Sequence, residues 1–128
     1  MKIYLCGGIN GLTDDQCKNW RQEAKSKLKC ETLDPMRRDY RGKEDESVVA
    51  IVEGDKTDIL SCDLVLANAD KPSWGTAMEI LFAFENHISV VVVCPSERVS
   101  PWLRYHAAKI YKTLGEAFDY INALASVE

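Results

Sequence analysis

Short apolar runs and amphipathic stretches alternate along this chain. Lys2 to Cys6 is apolar and stopped by Gly7-Gly8, which predicts a strand. Thr13 to Leu28 carries Trp20, Ala24 and Leu28 at helical spacing. Thr13 is placed to cap that helix, with Asp14 and Asp15 in its first turn and Gln16 at capping-box spacing. Cys30 to Leu33 predicts a short second strand, ended by Asp34-Pro35. Met36 to Ser47 is the one long polar segment, a loop of functional length. A second helix is predicted over Val48 to Ser61, a third strand over Leu64 to Ala67, and a third helix over Trp74 to Asn86. Ser89 to Cys94 is nearly all valine, as a central parallel strand should be. A loop with Pro95 and Pro101 follows, then a short strand over Lys109 to Lys112 and a closing helix over Leu114 to Leu124. This alternation predicts an α/β fold. It is a doubly wound, five-stranded parallel sheet with helices on both faces, flavodoxin-like or Rossmann-like, in one domain over residues 1–128.

Composition narrows the function classes. A chain of 128 residues can bury a core without disulfides or metal. The net charge of −4 does not favour a nucleic acid polymer as partner. No apolar run is long enough to span a bilayer, so no membrane partner is expected. Met1 to Cys6 is too short and too strand-like for a signal peptide. Cys6, Cys17, Cys30, Cys62 and Cys94 are odd in number, widely spaced and without a CxxC, which predicts reduced thiols in a cytoplasmic protein. His87 and His106 have no partner at metal-ligand spacing, so no metal site is expected.

The candidate chemistry gathers at predicted strand ends, where open α/β sheets bind ligands. Asp70-Lys-Pro-Ser-Trp-Gly-Thr-Ala-Met-Glu79 carries the third strand into the third helix. Its turn holds Ser73 and Gly75 at a helix N-terminus, which offers free N–H groups to an anion. Glu79 follows within the first turns, flanked by Ala77, Met78, Ile80, Leu81 and Phe82. A carboxylate in apolar surroundings needs a partner or a role. Gly7 and Gly8 end the first strand and let a ligand approach the backbone; the segment is not GxGxxG, so a dinucleotide fingerprint is absent. Asp55 and Asp58 stand on the second helix. Either could face the sheet's carboxyl edge or pair on the surface, and the pattern does not choose between them.

Taken together, Tyr4-Leu-Cys-Gly-Gly8, Asp34-Pro35, Gly54-Asp55-Lys-Thr-Asp58 with Asp63-Leu-Val-Leu-Ala67, and Pro72-Ser-Trp-Gly-Thr-Ala-Met-Glu79 resemble the nucleoside 2-deoxyribosyltransferase family. The resemblance runs from Met1 to about Leu124. It implies cleavage of the N-glycosidic bond of a 2'-deoxynucleoside or its 5'-monophosphate, without metal or organic cofactor, in a homodimer or larger assembly. Glu79 matches the nucleophile that attacks the anomeric carbon, Asp55 the acid that protonates the leaving base, and Tyr4 the tyrosine that holds the nucleophile. A retaining glycosyl transfer needs such a nucleophile and acid on either side of an oxocarbenium-like transition state.

Ser73 stands where nucleoside-specific members carry an aspartate, which resembles the branch that hydrolyses 5'-monophosphates. Ser100 matches a second phosphate-binding serine, supplied in that branch by the neighbouring subunit. Arg37, Arg38 and Arg41 could close over the phosphate. Gly8 and Asn10 replace the serine and arginine of that branch's first loop. Two alternatives remain: a non-catalytic nucleotide-binding sensor on the same fold, and a cytokinin-type phosphoribohydrolase. The latter carries PGGxGTxxE, and Pro72 to Thr76 is one residue shorter and lacks its paired glycines.

Overall fold

A computed structural model of the chain describes residues 1–127. Five strands, β1 (Lys2–Gly7), β2 (Glu31–Leu33), β3 (Leu64–Asn68), β4 (Ser89–Val93) and β5 (Lys109–Tyr111), form one sheet in the order β2-β1-β3-β4-β5. Every neighbouring pair is parallel. The connecting helices are α1 (Asp14–Lys27), α2 (Val48–Leu60), α3 (Trp74–Glu85), α4 (Pro101–His106) and α5 (Leu114–Ala125). The chain steps from β1 outward to β2, then crosses back to β3 on β1's other side. The connections leaving β1 and β3 therefore diverge, and a crevice opens between the two strand ends.

Side-chain alternation along the strands builds two cores. Ile3, Leu5, Leu64, Leu66, Val91 and Val93 pack against Trp20, Ala24 and Leu28 of the α1 segment and Ala117, Phe118 and Ile121 of α5. Tyr4, Cys6, Val65, Ala67, Val90 and Val92 face the opposite way, against Ile59 of α2 and Ile80 and Ala83 of α3. Cys6, Cys62 and Cys94 are buried in the second core, and Cys17 is buried on α1. No helix of the described residues is long and apolar enough to cross a membrane.

Helix boundaries follow the sequence signals closely. The Thr13 capping box forms with both reciprocal bonds, Gln16 N–H to Thr13 and Thr13 N–H to Gln16. Two differences stand out. The stretch after β4, predicted as loop, contains α4: Ser100 caps it and Pro101 takes its first position, where a missing N–H is harmless. The long polar segment holds two 3-10 turns, Pro35–Arg37 and Glu44–Glu46, the first capped by the Asp34 side chain through Met36 N–H at 2.8 Å.

One charged residue lies inside the first core. Arg21 is fully buried and sits beside Trp20 on the inward face of α1. Its guanidinium donates to three backbone carbonyls, Leu5 at 3.4 Å, Cys17 at 2.7 Å and Gly7 at 2.9 Å. Asp34 supplies the counter-charge at 3.6 Å and is itself held by Lys25 at 2.6 Å. Gly7 is required by the same packing: a Cβ there would stand 2.7 Å from Trp20 Cζ2.

Removing the guanidinium leaves three carbonyls without their donor and Asp34 short of a counter-charge. Arg21→Met should therefore destabilise the fold by about 3–5 kcal/mol. Urea titration should report a lowered midpoint with an unchanged slope; a shift under about 1 kcal/mol would remove Arg21 from this role.

Candidate active site

A cavity of about 180 Å³ occupies the crevice beyond β1 and β3. Gly7 ends β1 on one side of it. Ser73, Gly75, Thr76 and Glu79 of the α3 entry form the opposite wall. Asp55 of α2 and the segment from Pro35 to Glu44 close the remainder, including Arg38, Asp39, Tyr40 and Arg41.

Glu79 and Asp55 thus face one space. Burial pushes the Glu79 carboxyl up to about 7; the Tyr4 phenol holds it down and the charge of Asp55 pushes it further up. Glu79 Oε2 is buried without a hydrogen-bond partner, and so is the Tyr4 hydroxyl. The phenol is close enough to perturb the carboxyl but not aligned to satisfy it. Tyr4 lies wholly inside the sheet, beneath the cavity rather than on its wall. Burial also raises the Tyr4 phenol, and the negative charge of Glu79 adds to this, so it stays protonated as a donor. Burial likewise raises Asp55, to about 6, against the lowering influence of Arg38. Burial thus raises both Glu79 and Asp55 toward neutrality.

The two aspartates of α2 separate cleanly. Asp58 is buried and bound by Arg37 and Arg38, whereas Asp55 lines the cavity. Burial pushes Asp58 up, but its bonds to both arginines outweigh this and hold it below the ordinary carboxylate value.

Ser73 Oγ caps α3, accepting from Thr76 N–H at 3.3 Å, and keeps its own hydrogen for another acceptor. Gly75 lies beside Glu79: a Cβ there would stand 3.7 Å from Glu79 Oε1. Gly8 does not line this cavity. A Cβ on Gly8 would meet Leu12 Cδ1 at 2.8 Å, so the residue belongs to the packing of the first loop.

Ser100 also lies elsewhere, across a wider groove of about 840 Å³ that shares Ser73 and Thr76 with the cavity. There its hydroxyl accepts from Trp102 N–H at 3.2 Å. None of the three arginines expected at a phosphate is without a carboxylate partner. Arg37 and Arg38 bind Asp58, and Arg41 binds Asp39 at 2.7 Å and Asp14 at 2.8 Å. Arg41 instead ties the long loop to the start of α1.

Sequence reasoning missed Thr76, whose hydroxyl is buried without a partner on the wall shared by both spaces. It also missed Asp39, Tyr40 and Glu44. A signal existed for Arg21: it lies four residues after Cys17 and three before Ala24, on the inward stripe of α1.

A doubly wound parallel sheet with two carboxyl groups facing a small cavity at its switch point defines an α/β protein suited to a small polar ligand. The model of the family described as "Nucleoside 2-deoxyribosyltransferase" matches residues 3–124, and the chain belongs to that enzyme family. Among solved structures, a 2-deoxyribosyltransferase from Bacillus psychrosaccharolyticus superposes with a TM-score of 0.74 at 15% identity, over 97% of this chain and 95% of that one. A conserved protein from Enterococcus faecalis V583 gives 0.69 at 16% identity, over 95% and 97%. At these identities the likeness is one of fold. Comparison with curated protein sequences gives no match.

A carboxyl whose pKa is raised by folding adds stability while protonated. For Glu79 that contribution is complete below about pH 4.5 and is lost as pH rises through about 7. Glu79→Gln lacks this loss. The variant should gain on the parent across that window, by on the order of 3 kcal/mol when complete. Urea titrations at several pH values read the difference, and parallel pH dependences would refute a buried, strained Glu79.

Proposed function

We propose that the protein cleaves the N-glycosidic bond of a 2'-deoxynucleoside or its 5'-monophosphate through a covalent glycosyl-Glu79 intermediate. The observation that carries this is the buried, unpartnered Glu79 oxygen facing the same cavity as Asp55. An unpartnered buried carboxyl oxygen is costly in the resting protein and is satisfied by bonding to a sugar carbon. In the first step Glu79 bonds the anomeric carbon, the bond to the base nitrogen breaks, and Asp55 gives that nitrogen its proton. In the second, water or another base attacks the same carbon, returns a proton to Asp55 and frees Glu79. Tyr4 holds Glu79 from below by donating toward it in its ionised form. The reaction needs Glu79 ionised and Asp55 protonated, and the Tyr4 phenol favours the ionised form of Glu79.

Gly7, Ser73 and Gly75 supply the close backbone and hydroxyl contacts for the sugar end. The free hydrogen of the Ser73 hydroxyl supports acceptance of a 5'-phosphate, since an aspartate there would repel it. Gly8 and Ser100 fall outside the cavity in a single chain, which leaves Ser100 to act across the adjoining groove. Trp74, Met78 and Leu81 on α3 and Trp102 and Tyr105 on α4 form an exposed apolar face beside that groove. We infer that a second copy of the chain covers it, giving a homo-oligomer; sedimentation of an active monomer at assay concentration would refute this.

The deciding experiment incubates the protein with deoxynucleosides and their 5'-monophosphates, with and without an acceptor base. Base release supports hydrolysis, base exchange supports transfer, and binding without turnover supports a nucleotide sensor. Glu79→Ala should lose at least about 4 kcal/mol of transition-state stabilisation, roughly a thousandfold in rate. Activity within about tenfold of the parent would overturn the nucleophile assignment. Ser73→Asp should move kcat/KM toward the unphosphorylated substrate by about 1–3 kcal/mol.

A further inference from the structure

Asp58 is 6% exposed and faces two guanidiniums. Arg37 grips it with both terminal nitrogens, at 2.8 and 2.9 Å, and Arg38 Nη2 donates to the same carboxylate at 2.6 Å. One negative charge answers two positive ones, so a unit of positive charge is left over. Arg38 Nη2 also lies 3.8 Å from Oδ1 of Asp55, three residues earlier on the same helix. The guanidinium lies close against Gly54. A Cβ there would stand 3.1 Å from Arg38 Nη2 and 3.2 Å from its Cζ.

We propose that Arg38, locked by Asp58 and bedded against Gly54, is the positioning residue of the proton donor: it orients Asp55 at the cavity and compensates the carboxylate that Asp55 becomes. The proposal rests on Asp55 being the acid of the reaction above. As the bond from the anomeric carbon to nitrogen breaks, its electron pair goes to the base nitrogen and the Asp55 proton follows. The negative charge left on Asp55 is then matched by Arg38 until water or a second base returns a proton.

The distance suits the task. A short hydrogen bond would hold Asp55 ionised in the resting protein and remove the proton it must donate. At 3.8 Å the charges attract without a formed bond. Neutralising Asp58 does not explain Arg38, because the two-pronged Arg37 contact already does so. The charged and titratable groups acting on Asp55 come from every side. Arg37 and Arg38 of the turn after β2 and Arg21 of α1 favour its ionised form; Asp58 of its own helix favours its protonated form. Glu79 of α3 and Tyr4 of β1 interact with it across the site. Asp39, Arg41 and Glu44 share the cavity wall. Among the described residues, Arg38 is the cation paired with it directly.

The test compares pH profiles of kcat/KM for the parent, Arg38→Met, Arg38→Lys and Gly54→Ala. Substrates with a poor and an activated leaving base are used, each also in an Asp55→Asn background. In Arg38→Met the high-pH limb should move up by about one pH unit, as expected when an opposite charge within about 4–6 Å is lost. The rate should fall about tenfold with the poor leaving base and little with the activated one. Arg38→Lys, which keeps the charge, should return the limb toward the parent. Gly54→Ala, which keeps every charge and pushes the guanidinium by a few tenths of an ångström, should move it only slightly in the Met direction. Neither change should matter in the Asp55→Asn background. An unmoved limb, an equal loss on both leaving bases, or an equal loss without Asp55 would overturn the proposal. If Asp55→Asn alone leaves rate and profile intact, the acid reading itself has failed, which is a separate and recognisable result.

Discussion

The arrangement of the site depends on a buried cation that cannot lose its proton. A lysine in the position of Arg21 could go neutral; an arginine keeps its charge in a protein interior and must be matched. The chain matches it with Asp34 and with carbonyls from β1 and α1. Two of those carbonyls belong to Leu5 and Gly7, at the end of the strand that borders the cavity. Asp34 begins the turn that carries Arg37 and Arg38, and Asp58 fastens that turn to α2. A line of alternating charge therefore runs from inside α1, through the polar segment after β2, to Asp55. Burying each ion carries a desolvation penalty of several kcal/mol, which its partners offset. What the line achieves is registration: the end of β1, the turn and α2 cannot move independently around the cavity.

That registration matters because Glu79 and Asp55 are contributed by different helices. Both are raised toward neutrality by burial, to about 7 and about 6, and the charge of Asp55 makes Glu79 harder to ionise. Such a pair is sensitive to spacing, since at low effective dielectric a small displacement changes the interaction by a large fraction of a pKa unit. Tyr4 is fixed within the central sheet and its phenol remains protonated, so it acts on Glu79 from a position that does not shift. On the opposite side, Arg38 is held by Asp58 against the α2 backbone. The two carboxyls are thus tuned from two rigid supports, one under each.

Much of this was legible in the sequence, for identifiable reasons. The switch between apolar runs and amphipathic stretches specified the parallel sheet, and strand ends located the crevice. Ser73, Gly75 and Glu79 were legible because they belong to one local strand-to-helix turn. The residue pattern alone did not separate Asp55, which the resemblance named, from Asp58, because helical spacing places them on neighbouring faces and Arg37 and Arg38, about twenty residues away, decide which is covered. The same limit applies to Gly8. Adjacent glycines look alike in sequence, and a Cβ would clash at both, with Trp20 at Gly7 and with Leu12 at Gly8, yet only Gly7 also borders the cavity. Helix α4 was missed because two prolines and a serine suggested a loop, although Ser followed by Pro is also the signature of a capped helix start.

Helix α3 carries two demands that conflict locally. Its inner face must complete the core through Ile80 and Ala83, and its first turn must stay open to a ligand through Ser73, Gly75 and Thr76. Meanwhile Trp74, Met78 and Leu81 leave its outer face apolar and exposed. A helix apolar on nearly every side belongs in an interior, which is the ground for the second copy proposed to cover it. Ser73 and Thr76 sit where the small cavity and the wide groove meet, and Trp74 of the outer face lines that groove. In the proposed homo-oligomer, assembly and ligand shape would be coupled through this single helix. The unpartnered Thr76 hydroxyl, buried on that shared wall, is the polar group whose environment such an assembly would complete.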